Sequence, residues 1–178
     1  MSKTSDEYLI SKIILYDDHQ AFRELIGRHQ NDIRNLLLKL VNFNDRDLDD
    51  LAQETIIRIY KYLKTFKGQS SFKTWLYTIT YRVFIDANKK GKKYRQLKNE
   101  EEKVSLQKKE AYSKIDSKID AEITISCLRP EEKVAIQLSY LQGFSHKEIA
   151  EILDCPIGTV KSHINRGKQR IRKFYKAS

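Results

Sequence analysis

The segment Phe66–Arg82 combines aromatic and basic residues in a pattern that suits contact with nucleic acid. It carries the only Trp of the chain, together with Phe, Tyr, Lys and Arg residues, on a short polar loop and the helix predicted after it. Every base has a π-face that stacks on an aromatic ring, and every phosphate has a charge that a cation neutralises. The segment is therefore predicted to hold unstacked bases on a sugar-phosphate strand.

The loop Gly68–Ser71 and the helix after it are expected to divide this task. The loop offers backbone and side-chain hydrogen bonds to a flipped base. Trp75 is expected to lie partly in the core, whereas Tyr77, Tyr81 and Arg82 are expected to be exposed. An amphipathic helix whose rings only fill the core remains the alternative.

A second pattern in the carboxy-terminal third predicts a helix–turn–helix. Ser145–Glu148 matches a capping box, in which a hydroxyl and a carboxylate each satisfy a free backbone N–H. A turn follows at Asp154–Ile157, where proline is tolerated in the first turn of the next helix. From Gly158 to Ser178 there is no acidic residue, so this second helix is predicted to enter a major groove. A packed helical hairpin with a solvated basic face is the alternative.

Individual contacts with duplex DNA are predicted for the outer side of this second helix. Arg166 and Lys161 are expected to reach guanine edges, and Asn165 an adenine, because their donors and acceptors match those edges. Phosphates are expected to be held by Thr159, His163, Lys168 and Arg170, and Ser162 lies on the same outer side.

The elements that position these residues are predicted to be helices throughout. Only six Gly and two Pro interrupt 178 residues, and no alternating run of strand length occurs, so the fold class is all-α. Apolar residues at helical spacing predict four amino-terminal helices, of which the first spans Glu7–Tyr16. The second is capped by Asp17 or Asp18, and the third is capped by Asp45 or Asp47 and ends near Gly68. The fourth is capped by Ser70 or Ser71 and ends at Ala87.

Two small helical domains joined by a charged linker follow from this pattern. Basic residues crowd Lys89–Lys98 and acidic residues follow at Glu100–Glu102, and such blocks resist burial. The expected division is a four-helix domain at residues 1–93, a linker at 94–122 and a helix–turn–helix domain at 123–178.

Composition narrows the classes of function. A net charge of +10 favours polyanionic partners. Cys127 and Cys155 have no CxxC spacing, which argues against a zinc site and against a disulfide framework. The histidines fall on separate predicted helices, and no P-loop or HExxH motif occurs, so neither catalysis nor a metal or other cofactor is expected. The amino terminus lacks the apolar core of a signal peptide, and a soluble, cytoplasmic protein without membrane insertion is expected.

An acidic and polar strip on the third helix has two open interpretations. Asp49, Asp50, Gln53 and Glu54 lie beside Leu51 and Ile57. The strip is either ordinary solvated surface or a docking face for a basic partner protein.

The chain resembles the extracytoplasmic-function (ECF) group of bacterial sigma factors, within the sigma-70 family. The stretches similar to the second conserved region of that group are DLAQET at Asp50–Thr55, FKGQSSFKTWL at Phe66–Leu76, and Asp86 followed by Lys89 and Lys90. Those similar to its fourth region are LRPEE at Leu128–Glu132, GFS at Gly143–Ser145, EIAEIL at Glu148–Leu153 and GTVKS at Gly158–Ser162. The chain departs from the usual pattern at Tyr81, at His163 and at Arg129.

The resemblance implies a promoter-specificity subunit that binds RNA polymerase core and promoter DNA. It implies docking on the polymerase clamp helices through Asp50, Leu51, Gln53, Glu54 and Ile57. It implies opening of the minus-ten element and binding of its single strand by Lys67, Gln69, Ser70, Ser71, Phe72, Lys73, Trp75, Tyr77, Tyr81 and Arg82. Lys161, Ser162, Asn165 and Arg166 would read the minus-thirty-five duplex while the same domain touches the polymerase flap.

The resemblance further implies that the linker threads toward the active-site cleft and that an anti-sigma factor controls the protein. Two other classes remain open from the residues alone. One is a stand-alone helix–turn–helix regulator, and the other is a single-strand-binding regulator built around Trp75.

Overall fold

All regular secondary structure in the described part of the chain is helical. The computed structural model describes residues 4–40, 45–99 and 128–177, and no β-strand occurs among them. The helices are α1 (Asp6–Tyr16), α2 (His19–Leu40), α3 (Asp45–Tyr62), α4 (Phe72–Asn99), α5 (Pro130–Ile136), α6 (His146–Leu153) and α7 (Ile157–Ala177). The prediction of an all-α fold is therefore confirmed. None of the described helices has the length and the apolar run needed to cross a membrane.

Two compact units make up the chain: the first contains residues 1–87 and 151–154, and the second contains residues 88–150 and 155–178. In the first unit, α2 packs against both α1 and α3. The largest side chains with almost no exposed surface are Ile13 of α1, Leu25, Ile33 and Leu37 of α2, Ile59 of α3, Leu63, and Leu76 and Tyr77 of α4. Burying apolar side chains from four helices in one core gives this unit its stability.

The start of the first unit follows local capping rules. Ser5 precedes α1, and its Oγ accepts a hydrogen bond from the backbone N–H of Tyr8. Asp18 caps α2, since its Oδ1 accepts from the N–H groups of Gln20 and Ala21 at 2.9 and 3.0 Å. The hydrogen bond from Ala21 lowers the pKa of the Asp18 carboxyl. Of the two predicted caps for this helix, Asp18 is confirmed.

Two predicted helix ends are wrong. α3 ends at Tyr62 and is followed by a 3₁₀ turn at Leu63–Thr65, so it stops short of Gly68. α4 continues to Asn99 instead of ending at Ala87. The residues after Ala87 are mostly Lys, Arg, Gln and Leu, which are good helix formers, and a single glycine does not outweigh them.

The cap of α4 is as predicted. Ser71 precedes the helix, and its Oγ accepts a hydrogen bond from the N–H of Thr74 at 3.1 Å. Most of the predicted linker lies outside the described residues, as do the side chains of Asp45 and Asp47.

In the second unit, α5 packs against α7. A π-helical turn at Gln137–Leu141 follows α5 directly. The buried apolar residues of the carboxy-terminal helices are Val134, Ala135 and Leu138 in and after α5, Phe144, Ile149 and Ile152 around α6, and Val160 and Ile164 in α7. Helices α6 and α7 thus each turn an apolar side away from solvent.

Candidate nucleic-acid interface

Helices α6 and α7 form the predicted helix–turn–helix. The capping box is present, since the N–H of Ser145 donates to Glu148 Oε2 at 2.9 Å and the N–H of Glu148 donates to Ser145 Oγ at 3.3 Å. The turn contains Asp154 with φ +52°, and the carbonyl of Pro156 accepts from the N–H of Thr159 at 2.8 Å. The bond from Thr159 to Pro156 thus begins α7 directly after the turn.

The outer side of α7 presents cations and one amide to solvent. Lys161, Asn165, Arg166 and Lys168 are exposed, whereas Thr159, Ser162, His163 and Arg170 are half-buried. Arg166 lies one turn after Ser162, and its Nη2 donates to Ser162 Oγ at 2.9 Å. The ammonium of Lys168 lies 4.9 Å from the ring centroid of the exposed Tyr140.

Arg170 has a partner inside its own unit. Its Nε lies 3.0 Å from Oε2 of Glu132, and the Glu132 side chain is only 1% exposed. The sequence predicted that Arg170 binds a phosphate, but its guanidinium is already paired with a buried carboxylate of α5. Neither helix spacing nor composition indicated this pairing, because the two residues are 38 positions apart.

Three aromatic rings support the loop before α4. The ring centroids of Phe66 and Trp75 are 5.4 Å apart, those of Phe72 and Trp75 are 5.7 Å apart, and those of Phe66 and Phe72 are 5.8 Å apart. The His29 ring meets Phe72 edge-on at 5.2 Å. Trp75 is half-buried, which confirms its expected place at the edge of the core, and Phe72 is buried.

The polar loop between the rings is open to solvent. Lys67, Gly68, Gln69 and Ser71 are exposed and Ser70 is half-buried. Gly68 has φ +67°, a left-handed conformation that residues with a side chain rarely adopt. The loop therefore presents its backbone and the Gln69 amide beside the half-buried Trp75.

The expected exposure of Tyr77 is wrong. Tyr77 has no exposed surface, because it lies on the inward side of α4 beside Leu76. Burial raises the pKa of the Tyr77 hydroxyl, and the negative charge of Asp32 raises it further. Arg82 is exposed as expected, and Tyr81 is half-buried with its ring 6.3 Å from that of Phe84.

The strip predicted on α3 is exposed and largely neutralised. Asp50, Gln53, Glu54 and Ile57 are exposed, with Ile57 at 61%, and Leu51 is half-buried. Asp49 pairs with Arg34 at 2.7 Å, and Glu54 pairs with Arg58 at the same distance.

Arg58 connects this strip to α4. Its Nη1 also lies 2.6 Å from the carboxylate of Asp86. The hydrogen bonds to Asp86 and Glu54 raise the pKa of Arg58. Two of the three carboxylates of the strip are thus paired with arginines.

A groove between α2 and α3 adjoins the strip, and no sequence pattern indicated it. Its wider part is a shallow, open depression of about 420 Å³ lined by His19, Phe22, Arg23, Ile26, Gly27, Gln30 and Ile56. It continues past Gln30 and Ile56 to Arg34, Asp49 and Gln53. The helical spacing of Phe22 and Ile26 predicts core residues, and spacing alone does not distinguish a groove wall from a core.

The described residues contain no group of three or more His, Cys, Asp or Glu side chains arranged to hold a metal ion.

Two models of known protein families match this chain. Residues 25–94 match the model described as sigma-70 region 2, and residues 124–171 match the model described as sigma-70 region 4. The first match contains the aromatic loop and the strip on α3, and the second contains the helix–turn–helix.

Similar curated proteins extend over nearly the whole chain. The ECF RNA polymerase sigma-E factor of Haemophilus influenzae is 32% identical over 94% of this chain and 93% of its own length. That of Escherichia coli strain K12 is 30% identical over 96% of this chain and 95% of its own length.

Solved structures share the fold. The sigma factor RpoE of Bartonella quintana, crystallised with the anti-sigma factor NepR, has a TM-score of 0.69 at 26% identity and covers 87% of this chain and 96% of its own. CnrH, in complex with the cytosolic domain of CnrY, has a TM-score of 0.67 at 19% identity, with 97% and 98% covered.

Proposed function

The chain belongs to the ECF group of sigma-70 factors, which direct RNA polymerase core to promoters, and from this membership we propose how its residues divide the work. The resemblance inferred from the sequence is thereby confirmed. The proposal depends above all on one observation, the presence in a single chain of an aromatic, solvent-open loop and a basic helix–turn–helix.

The outer side of α7 reads the minus-thirty-five element as duplex. Arg166 and Lys161 are exposed and reach guanine edges, and the exposed Asn165 reaches adenine. Phosphate contacts come from Thr159, His163 and Lys168, with Ser162 beside them. Arg166 leaves its hydrogen bond with Ser162 when it meets a base edge.

The loop before α4 holds the opened minus-ten strand. A flipped base enters between Gln69 and the Trp75 ring, where backbone and amide groups read its edge and the indole covers its face. Lys67, Ser70, Ser71, Lys73, Tyr81 and Arg82 follow the sugar-phosphate strand. Phe72 and Tyr77 are buried, so they support the helix that presents these groups and do not touch the strand.

The exposed strip on α3 and the adjoining groove bind RNA polymerase core. Asp50, Leu51, Gln53, Glu54 and Ile57 form the strip, which the family resemblance assigns to the clamp helices. The groove adds the apolar walls of Phe22, Ile26 and Ile56, into which the side chains of a partner helix fit. The helix–turn–helix unit touches the polymerase flap.

The wider organisation follows from the same family membership. Residues 1–93 act as the polymerase and minus-ten domain, residues 94–122 as the linker through the polymerase cleft, and residues 123–178 as the minus-thirty-five domain. The protein catalyses no reaction of its own and works in the cytoplasm, where polymerase and promoters are. An anti-sigma factor holds it inactive, in line with the NepR complex of the 26% identical RpoE.

Transcription in vitro tests this proposal. Purified chain and core polymerase are supplied with a library of randomised promoters, and the expected product is RNA enriched for one bipartite motif. The variant Gln53→Ala with Glu54→Ala should bind core more weakly and keep its helical circular dichroism. Absence of RNA from every template, while a known sigma factor succeeds in parallel, would contradict the proposal.

A further inference from the structure

Glu132 is a carboxylate placed inside the second unit. Its side chain is 1% exposed, and its Oε2 accepts from the backbone N–H of Arg129 at 3.1 Å and lies 3.0 Å from Arg170 Nε. A buried carboxylate is costly unless it is paired and hydrogen-bonded, and these two donors supply both. Arg170 is the cation that lets α5 bury this charge.

Helices α5 and α7 approach each other closely beside this ion pair. A Cβ at Gly167 would overlap Cδ1 of Ile136, the end of a flexible side chain, and would lie 3.4 Å from the Cβ of Glu132. Gly167 therefore lies directly against α5, and the bond from Arg170 to Glu132 ties the two helices together three residues later. Both features lie where α7 crosses α5.

The crossing matters because the side chains proposed to read DNA are on the same continuous helix. α7 extends from Ile157 to Ala177, and Arg166 lies about 6 Å before Arg170 along the helix axis at the usual rise per residue. A change in the crossing moves Lys161 and Arg166 together with the helix. Their side-chain donors then no longer meet the same base edges in the major groove.

We propose that Arg170 and Glu132 are positioning residues for promoter recognition, and that Arg170 is not a phosphate contact. The inference rests on the proposed function and assigns this arginine a different role within it. Arg170 turns its Nε toward Glu132 of α5 while its side chain keeps 40% of its surface exposed, so the two roles have to be separated by experiment.

The salt dependence of promoter binding separates the two roles. Each phosphate contact contributes about one unit to the slope of log K against log salt concentration. A positioning residue changes affinity through several other contacts and leaves that slope nearly unchanged. Lys168→Gln is the matched control, since Lys168 is exposed on α7 two residues earlier and is proposed to hold a phosphate.

The experiment uses the full chain assembled with core polymerase and the promoter enriched by the wild type. Binding is measured over a series of salt concentrations for Arg170→Gln, Glu132→Gln, the double variant and Lys168→Gln. We expect each single change at the ion pair to weaken binding by about tenfold, the order expected for one charge-assisted hydrogen bond, with the slope unchanged. The double variant should be weakened less than the product of the two single effects, because its two amides leave no buried charge unpaired.

Three results would overturn this inference. Arg170→Gln lowering the slope as Lys168→Gln does would make Arg170 a phosphate contact. Full promoter affinity in Arg170→Gln would show that the pair does not position α7. A double variant whose loss of affinity equals the product of the two single losses would show the same. Circular dichroism shows whether a single variant is unfolded. In that case the inference is judged on the folded double variant, which carries both Arg170→Gln and Glu132→Gln. A wild type that binds no promoter overturns the proposed function as well, whereas a wild type that binds normally confines the failure to this inference.

Discussion

At the scale of single residues, burial decides which aromatic side chains of α4 are available to a ligand. Tyr77 and Trp75 are two positions apart, yet Tyr77 is enclosed while Trp75 is half-buried beside an open loop. The same pattern of residue types thus contains a core residue and a candidate stacking platform. Only the ring with an open face can stack on a base.

Tyr77 makes stability depend on pH at the alkaline end. Its pKa is raised above the ordinary value by burial, so the folded state keeps a proton that the unfolded state loses above about pH 10. The contribution of the Tyr77 hydroxyl to the free energy of unfolding is complete below that pH. As the pH rises above it, this contribution is lost by at most about 1.4 kcal/mol per pH unit, the limit for one group. Urea unfolding between pH 8 and 11 should show a smaller fall in Tyr77→Phe than in the wild type.

Tyr16→Phe is the control for this measurement, since Tyr16 is 77% exposed in the same unit. It should leave the alkaline fall as it is in the wild type. An equal fall in Tyr77→Phe and the wild type would show that Tyr77 is not enclosed.

At the scale of elements, α7 has one side for packing and one for contact, and its glycines belong to different environments. A Cβ added at Gly158 would have no neighbouring atom within 4 Å, whereas Gly167 faces Ile136 of α5. Helix propensity favours alanine at both positions by up to about 1 kcal/mol. Packing opposes that gain only at Gly167.

Gly167→Ala should therefore raise the free energy of unfolding by less than Gly158→Ala does. The added methyl group displaces the end of the Ile136 side chain, and this repacking offsets part of a propensity gain of up to about 1 kcal/mol. Gly158→Ala should not lower the free energy of unfolding. Chemical denaturation followed by circular dichroism measures both, and equal stabilisation by the two changes would contradict the close approach of α5 and α7.

At the scale of the whole molecule, two modest contacts gain selectivity because one chain carries both. Once one unit has bound its element, the other binds at a raised effective concentration. In the proposed division of work, the strip and groove on the first unit tie both contacts to RNA polymerase. Promoter choice is thus a property of the chain with its polymerase, beyond either unit alone.

The spacing between the two promoter elements tests this joint action. Inserting about 5 base pairs turns the minus-thirty-five element by about half a helical turn, since duplex DNA repeats every ~10.5 base pairs. Transcription should then fall to the level of a promoter that lacks the minus-thirty-five element. Unchanged transcription from the lengthened promoter would mean that the two units act independently.

The fold class, the helix–turn–helix, its capping box and the family were all readable from the amino-acid sequence, because these depend on local spacing and residue type. Ser71 and Asp18 were recognisable as caps for the same reason, since a cap bonds to backbone two or three residues away.

Which of the candidate residues face solvent emerged only from the packing of the helices. That packing encloses Tyr77, pairs Arg170 with Glu132 across 38 residues and opens a groove between α2 and α3. These features arise where helices distant in sequence meet, and helical spacing specifies which side of a helix is apolar without specifying what that side will touch.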